Sequence, residues 1–300
     1  EFTKKTDSRE DSSSGKEEFS IFVAVRHDGF ATSHKGEWVK HSYGLDARRN
    51  SASERYVYRA VRVVAKTLVI SVAESEAAAI KESEAVFKSL NKLKKAGKSH
   101  YNGLCGSNAN GELAFAANAA RIALDKLKTD NGLYAGLPWF FQRWTRDELI
   151  SCAAFPAAAK KKIVLSYLDK ILDDGRLPTL ISGNYKDSQL VTADGIGWLF
   201  KRASELFEEK KLTAAEIKNV KSALKKSIDG LLKSHHRSGF IINDRNETWM
   251  DTDFNSDGRK GACIEIQAMQ LQMYSLMYKL SRNRTYLLLE NSLRNNVRKF

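Results

Sequence analysis

Hydrophobic residues alternate with polar ones near the start of the chain, which predicts β-strands. The runs Phe19–Val25, Tyr56–Val64 and Thr67–Val72 are rich in β-branched and aromatic residues. From Glu74 onward, apolar residues recur mostly at helical spacing, so we place a boundary near residue 75. The pattern predicts three parts: a polar, disordered tail over 1–18, a β-rich region over 19–75, and a helical domain over 76–300.

The helical domain contains about eight predicted helices separated by loops. The clearest covers about 213–232, where Thr213 and Glu216 form a capping-box pattern ahead of a single apolar stripe. Paired helices at this density favour a helical toroid or solenoid, so the expected fold class is mainly α. The other predicted helices cover about 75–95, 112–128, 146–155, 157–172, 189–208, 264–281 and 284–298.

Composition narrows the class of protein. Hydrophobic residues make up 42% of the chain and charged residues 28%, values ordinary for a globular protein. No run approaches the ~18–20 apolar residues that a membrane span requires, so no membrane segment is expected. Cys105, Cys152 and Cys263 are widely spaced, which argues against a disulfide framework or a zinc site and favours a reducing compartment, the cytoplasm.

The net charge of +13 raises the question of nucleic-acid binding. The charges are dispersed, however, and no basic run is interleaved with aromatic residues, so solvated helix faces explain the lysines better. Neither a cofactor nor a metal is expected, and the oligomeric state is left open.

The first of three loop-to-helix junctions is Gly136–Glu148, which concentrates residues suited to sugar chemistry. Trp139 and Trp144 offer flat apolar faces for stacking on sugar rings, and Arg146 and Asp147 are suited to bind or protonate sugar oxygens. The alternative for Asp147 is a helix-start acid favoured only by the helix dipole. Because that dipole lowers a carboxyl pKa, a role as general acid requires burial or a second carboxylate.

A capping-box pattern also appears within this junction. Thr145 and Glu148 have the required spacing, which predicts that Asp147 lies in the first turn of a helix.

The second and third junctions have similar compositions. Asp194 precedes Trp198 at the start of a predicted helix, and Glu265 opens another after the segment Glu247–Asp251. A calcium loop is the alternative for the third junction, since acidic and amide residues alternate after Asp251. That loop lacks Gly at its sixth position and has Ala262 where an EF-hand has Glu, so calcium is not favoured.

Asp147, Asp194 and Glu265 all open predicted helices. If alternate helices form the inner ring of a toroid, these openings face one end and converge on one pocket. Carboxyl groups beside tryptophans suit glycoside hydrolysis, which uses two carboxyl groups.

At these junctions the chain resembles the C-terminal glucosidase domain of glycogen-debranching enzymes. That family has a G-x-P-W-F-x-x-W-x-R-D block, and Gly136–Asp147 is similar at nearly every position. Two later blocks follow in order, so the resemblance covers roughly residues 65–282. They are Thr192–Asp194 with Trp198, and Thr248–Asp251 with Arg259–Gly261 and Glu265–Ile266.

The resemblance implies an (α/α)6 toroid preceded by a β-sandwich region, and an α-glucan as partner. It implies inverting hydrolysis of α-1,6-linked glucose at glycogen branch points, with Asp147 as general acid. The positions that match the sugar pocket of the family are Trp144, Arg146, Asp194, Trp249, Asp251 and Glu265.

Three features of the chain depart from the family pattern, of which the change at Thr145 is tolerable. The general base of the family is a Glu in a Trp-containing motif well downstream, whereas this chain has no Trp after Trp249. A six-pair toroid needs twelve helices, against about eight here, so we expect a fragment whose base lies outside it, with Glu265 as the fallback. Thr145 also stands where Gly is common.

Other functions remain open at this point. One is a glucoamylase- or trehalase-like α-glucosidase on the same toroid. Another is a non-catalytic glucan-binding remnant, and a basic scaffold for nucleic acid is the least favoured.

Overall fold

The structure is a computed structural model, and the chain in it forms two compact units, Glu1–Asn108 and Ala109–Phe300. Most of the long strands belong to the first unit and most of the helices to the second. None of the described helices is long and apolar enough to cross a membrane. The residues that the structure describes are 2–5, 20–48, 52–105, 111–137, 140, 142–181, 190–250 and 259–299.

The first unit combines antiparallel strands with one long helix. Its strands pair as a three-stranded sheet in the order β1-β2-β5 and as a two-stranded sheet, β3-β4. Helix α2 contacts β2 and β5. The elements are β1 (Phe2–Lys5), β2 (Ser20–His27), β3 (Phe30–Ser42), α1 (Gly44–Arg48), β4 (Glu54–Val64), β5 (Leu68–Ala73) and α2 (Glu76–Leu104).

The alternating residues of β5 explain how α2 is held. Val69 and Ser71 are buried, whereas Leu68 and Ile70 on the opposite face are exposed, as the two-residue period of a strand requires.

The three runs predicted to be strands correspond to β2, β4 and β5. Helix α2 begins at Glu76, next to the predicted change of period, but its contacts place it in the first unit.

The predicted disordered tail differs from the structure at its beginning. Residues 2–5 form β1, which pairs with β2 in antiparallel register from Phe2 and Val23 to Lys5 and Ser20. A strand partner thus satisfies the backbone of a segment whose polar composition alone suggested disorder. The remainder of the tail lies outside the described residues.

The second unit is helical, with two-residue strands at its loops that pair as β6-β7, β8-β10, β9-β11 and β12-β13. Short 3₁₀ helices cover Cys152–Ala154 and Leu168–Lys170. The elements are α3 (Glu112–Leu127), β6 (Lys128–Thr129), β7 (Gly132–Leu133), β8 (Arg143–Trp144), α4 (Thr145–Ser151), α5 (Ala157–Ser166), β9 (Leu177–Pro178), β10 (Leu180–Ile181), β11 (Val191–Thr192), α6 (Gly195–Glu208), α7 (Ala214–Ser234), β12 (His236–Arg237), β13 (Phe240–Ile241), α8 (Ile264–Ser281) and α9 (Arg284–Val297).

The mainly helical prediction is confirmed, and each predicted helix has a counterpart. The capping box of α7 is present, since Thr213 and Glu216 exchange hydrogen bonds between side chain and backbone. Helix α6 begins at Gly195, not near 189, because Val191 and Thr192 pair with β9 instead. Closure of the helices into a toroid, and a sandwich arrangement of the sheets, stay predictions.

Large side chains of successive helices form the core of the second unit. Leu149, Phe200, Leu224 and Met273 are fully or almost fully buried and come from α4, α6, α7 and α8. Because each helix contributes a buried apolar stripe, the core fixes how the beginnings of these helices lie against one another.

Cys152 lies in this core, and we expect it to resist alkylation in the folded protein. Burial raises the pKa of its thiol to about 12. Since only the thiolate reacts, about one part in 10⁴ of this residue is reactive at pH 8. Iodoacetamide labelling followed by peptide mass spectrometry should modify the half-buried Cys105 and Cys263 and spare Cys152 until urea is added. Equal labelling of Cys152 and Cys263 without urea would contradict this packing.

Candidate active site

The beginnings of three helices adjoin in the second unit. A Cβ placed on Gly195, the first residue of α6, would lie 3.0 Å from the methyl carbon of Thr145 at the start of α4. A Cβ on Gly197 would lie only 2.4 Å from that of Met269, in the second turn of α8. Glycine at both positions therefore permits a close approach that a larger residue would prevent.

Asp194 joins the starts of α6 and α4 through a buried ion pair. Arg146 Nε donates to Asp194 Oδ2 at 2.7 Å, and the Asp194 side chain is only 2% exposed. Thr192 Oγ1 donates to Asp194 Oδ1 at 2.5 Å and accepts from the Gly195 backbone N–H at 3.2 Å. The Thr192 hydroxyl thus bonds to the first residue of α6, while the second carboxylate oxygen of Asp194 pairs with Arg146.

Asp147 lies in the first turn of α4, as predicted, and is exposed. It directly follows Arg146, whose guanidinium is fixed by Asp194. The burial that a general acid requires is therefore not supplied by the protein alone in this structure.

The predicted capping box at α4 is wrong. Thr145 Oγ1 donates to the carbonyl oxygen of Pro178 at 2.6 Å, and its backbone N–H donates to that of Thr179 at 2.9 Å. The helix caps at Trp144 without a side-chain hydrogen bond. Glu148 is drawn away from the cap because a buried set of donors binds its carboxylate instead.

That buried set makes Glu148 the centre of a hydrogen-bond network. Its oxygens accept from Leu133 N at 2.8 Å, from Arg143 Nε at 3.0 and 3.1 Å, and from the Tyr167 hydroxyl at 2.5 Å. Burial, with the nearby charge of Glu148, raises the pKa of Tyr167 well above its ordinary value. Tyr167 therefore stays a hydrogen-bond donor, and the network supports the segment that precedes α4.

A second group of predicted site residues meets around Arg259. Its Nη2 atom donates to both carboxylate oxygens of Glu265 at 2.7 Å, and its Cζ atom lies 5.8 Å from the ring centroid of Trp249. Trp249 is 58% exposed, so its ring remains accessible for stacking on a ligand. Arg259 thus connects an aromatic surface to a carboxylate at the start of α8.

The two groups are linked through the backbone. The Ala193 N–H donates to the carbonyl oxygen of Glu247 at 2.7 Å, which ties the loop before Asp194 to the segment that carries Trp249. Trp144 is half-buried and packs edge to face against Phe140, with 6.0 Å between the ring centroids. Trp139 and Asp251, two further predicted site residues, lie outside the described residues.

Sequence reasoning missed some of the residues that organise this site. Thr192 and Arg259 stand inside the family-like blocks, so the blocks themselves carried the signal. Arg176, whose Nη1 atom contacts Glu247 Oε1 at 2.5 Å, gave no signal because its partner lies 71 positions away.

The described geometry defines a mainly helical protein with carboxylate, arginine and tryptophan side chains near adjoining helix starts. The chain belongs to the amylo-alpha-1,6-glucosidase family, whose model matches residues 115–299, more than half of its length. That match spans the whole site described above and agrees with the resemblance seen in the sequence. No curated protein and no solved structure matches the chain.

Proposed function

We propose that the protein is a glycoside hydrolase that releases glucose from α-1,6 branch points of glycogen-type α-glucans with inversion. The observation that carries the proposal is the placement of Asp147: an exposed carboxyl in the first turn of α4, beside an arginine that Asp194 holds fixed. Family membership supports glycosidase activity in general.

In this proposal Asp147 is the general acid. It protonates the glycosidic oxygen as the bond to the anomeric carbon breaks, while a base removes a proton from water attacking the opposite face. A glucan lying over Asp147 would exclude water from the carboxyl, and such desolvation favours the protonated form. Substrate binding would then supply the burial that the free protein lacks.

Glu265 fits sugar binding better than the role of base. Both of its oxygens accept hydrogen bonds from Arg259, so its lone pairs are already directed at a fixed cation. A general base must instead accept a proton from water. We therefore expect the base to be a different carboxylate, at about 6.5–9.5 Å from Asp147 as an inverting reaction requires.

Sugar recognition is assigned to the remaining predicted residues. Tryptophan faces stack on apolar sugar faces, and ionised or ion-paired side chains hydrogen-bond to hydroxyls. The widely spaced cysteines favour a reducing compartment, so the proposal includes a cytoplasmic location. The residues proposed to bind the glucan are Trp139, Trp144, Arg146, Asp194, Trp249, Asp251 and Glu265.

The substrate class is tested by glucose release from matched glucans. The intact gene product is incubated with a limit dextrin whose branches are trimmed to single α-1,6-linked glucose stubs, with linear maltooligosaccharides, and with trehalose. We expect glucose from the stubbed dextrin alone. Release from the linear chains or from trehalose would favour the glucoamylase- or trehalase-like alternative. Binding without any release would favour the glucan-binding remnant.

A further inference from the structure

A half-buried ion-pair cluster adjoins the candidate site, on residues to which the proposed reaction assigns no role. Arg176 contacts Asp174 Oδ2 at 2.7 Å through Nη2 and Glu247 Oε1 at 2.5 Å through Nη1. His235 Nε2 lies 3.3 Å from the same oxygen of Asp174. The side chains of Arg176 and Glu247 are each 13% exposed, so the pair is largely removed from water.

The cluster is anchored to the core through α7. Gly175, between Asp174 and Arg176, has a positive φ of 89°, and a Cβ there would lie 2.2 Å from the carbonyl oxygen of Ser227. The Ser227 hydroxyl donates to the Gly175 carbonyl oxygen at 2.7 Å. The turn that carries Arg176 is thereby held against the long helix α7.

Glu247, the partner of Arg176, contacts two parts of the site. One oxygen of its carboxylate accepts from Arg176 and the other from the Asp244 backbone N–H at 2.8 Å. Its own carbonyl oxygen accepts from the N–H of Ala193, the residue before Asp194. Two residues after Glu247 comes Trp249.

The segment that follows Arg176 reaches the start of α4. Leu177 and Pro178 form β9, which pairs with β11, and the Pro178 carbonyl oxygen accepts from the Thr145 hydroxyl. The Arg176–Glu247 pair thus lies close to three segments of the site. Pro178, two residues after Arg176, is hydrogen-bonded to Thr145 near Asp147, Glu247 itself is hydrogen-bonded to Ala193 beside Asp194, and Trp249 follows Glu247 by two residues.

We propose that Glu247, held by Arg176, is a positioning residue that fixes the Asp194 loop and the Trp249 segment relative to each other. The inference rests on the proposed function for its effect on turnover, but its structural part is independent of that function. Glu247→Gln tests it, because an amide accepts hydrogen bonds through only one of its two terminal atoms. In either orientation, an NH₂ group of the glutamine faces a donor, Arg176 or the Asp244 N–H.

The matched control is Glu205→Gln in the same unit. Glu205 also pairs with a buried arginine, at 2.9 Å from Arg202 Nη1, and lies 3.6 Å from Lys160 Nζ. Its contacts lie between helices α5 and α6 and not on the loops of the site. Both variants are expected to melt at a lower temperature than the wild type.

Hydrogen exchange at the Ala193 amide and turnover per folded molecule separate positioning from mere stabilisation. In Glu247→Gln we expect at least tenfold faster exchange at Ala193 and a kcat on limit dextrin lowered about 10–100-fold, since a remote mutation that misplaces reacting groups by about 1 Å can cost about 10²-fold. Glu205→Gln should change neither.

Unchanged exchange at Ala193, or a kcat loss in Glu247→Gln no larger than in Glu205→Gln, would overturn the inference. If the wild type releases no glucose, the proposed function fails and the exchange measurement alone decides the positioning role.

Discussion

Replacing Asp147 by Asn is expected to lower hydrolysis of a branched glucan by at least about 10²-fold, the usual scale for losing a general acid. Asparagine keeps the shape of the side chain but has no acidic proton to give to the leaving oxygen. Because Asp147 is exposed at a helix start, the substitution should leave folding and glucan binding close to those of the wild type. The measurement is glucose release by the intact gene product from limit dextrin.

α-Glucosyl fluoride sharpens this test, because fluoride leaves without protonation. Asp147→Asn should therefore hydrolyse the fluoride far better, relative to wild type, than it hydrolyses the dextrin. Asp169→Asn is a matched control at an exposed acid in a 3₁₀ helix and should behave as the wild type. Near wild-type cleavage of dextrin by Asp147→Asn would return Asp147 to the role of an ordinary helix-start acid.

Replacing Glu148 by Ala is expected to lower the free energy of unfolding by about 3–5 kcal/mol, the range found when one partner of a buried ion pair is removed. The Glu148 side chain is fully buried, and Arg143, at 17% exposure, would lose its counterion. Tyr167 and the Leu133 N–H would also lose their acceptor. Urea denaturation followed by circular dichroism measures the change.

Two variants calibrate this result. Glu148→Gln keeps part of the hydrogen bonding and should fall between wild type and Glu148→Ala. Asp229→Ala breaks the exposed i,i+4 pair with Lys225 and should leave the denaturation midpoint unchanged within error. A Glu148→Ala midpoint equal to that of Asp229→Ala would show that the buried network does not stabilise the fold.

Local signals predicted the main helices and three strands of the first unit, β2, β4 and β5, but neither β1 nor β3. The capping residues and apolar stripe of α7 are all contained within its own sequence, so that helix and its start are confirmed closely. The same reasoning failed at Thr145 and Glu148, where the spacing of a capping box is present but tertiary donors compete for the carboxylate. Periodicity does not report which distant groups a buried side chain will meet.

In the candidate site, too, some features follow from neighbouring residues and others depend on residues far apart in sequence. The position of Asp147 in a first helical turn follows from nearby residues, whereas the Arg146–Asp194 pair joins residues 48 positions apart. The glycines that let helix starts adjoin, Gly195 and Gly197, also carry no sign in sequence of the residues they face. Only the folded chain shows why glycine is needed there.

The anomeric form of the first glucose released shows whether hydrolysis proceeds with inversion and depends on Asp147. The intact gene product is added to limit dextrin, and the earliest product is followed by proton NMR before mutarotation mixes the anomers. Inverting hydrolysis of an α-linkage with Asp147 as acid predicts that β-glucose appears first, and that Asp147→Asn suppresses it. Early α-glucose would rule out inversion, and β-glucose formed at an undiminished rate by Asp147→Asn would rule out Asp147 as the general acid.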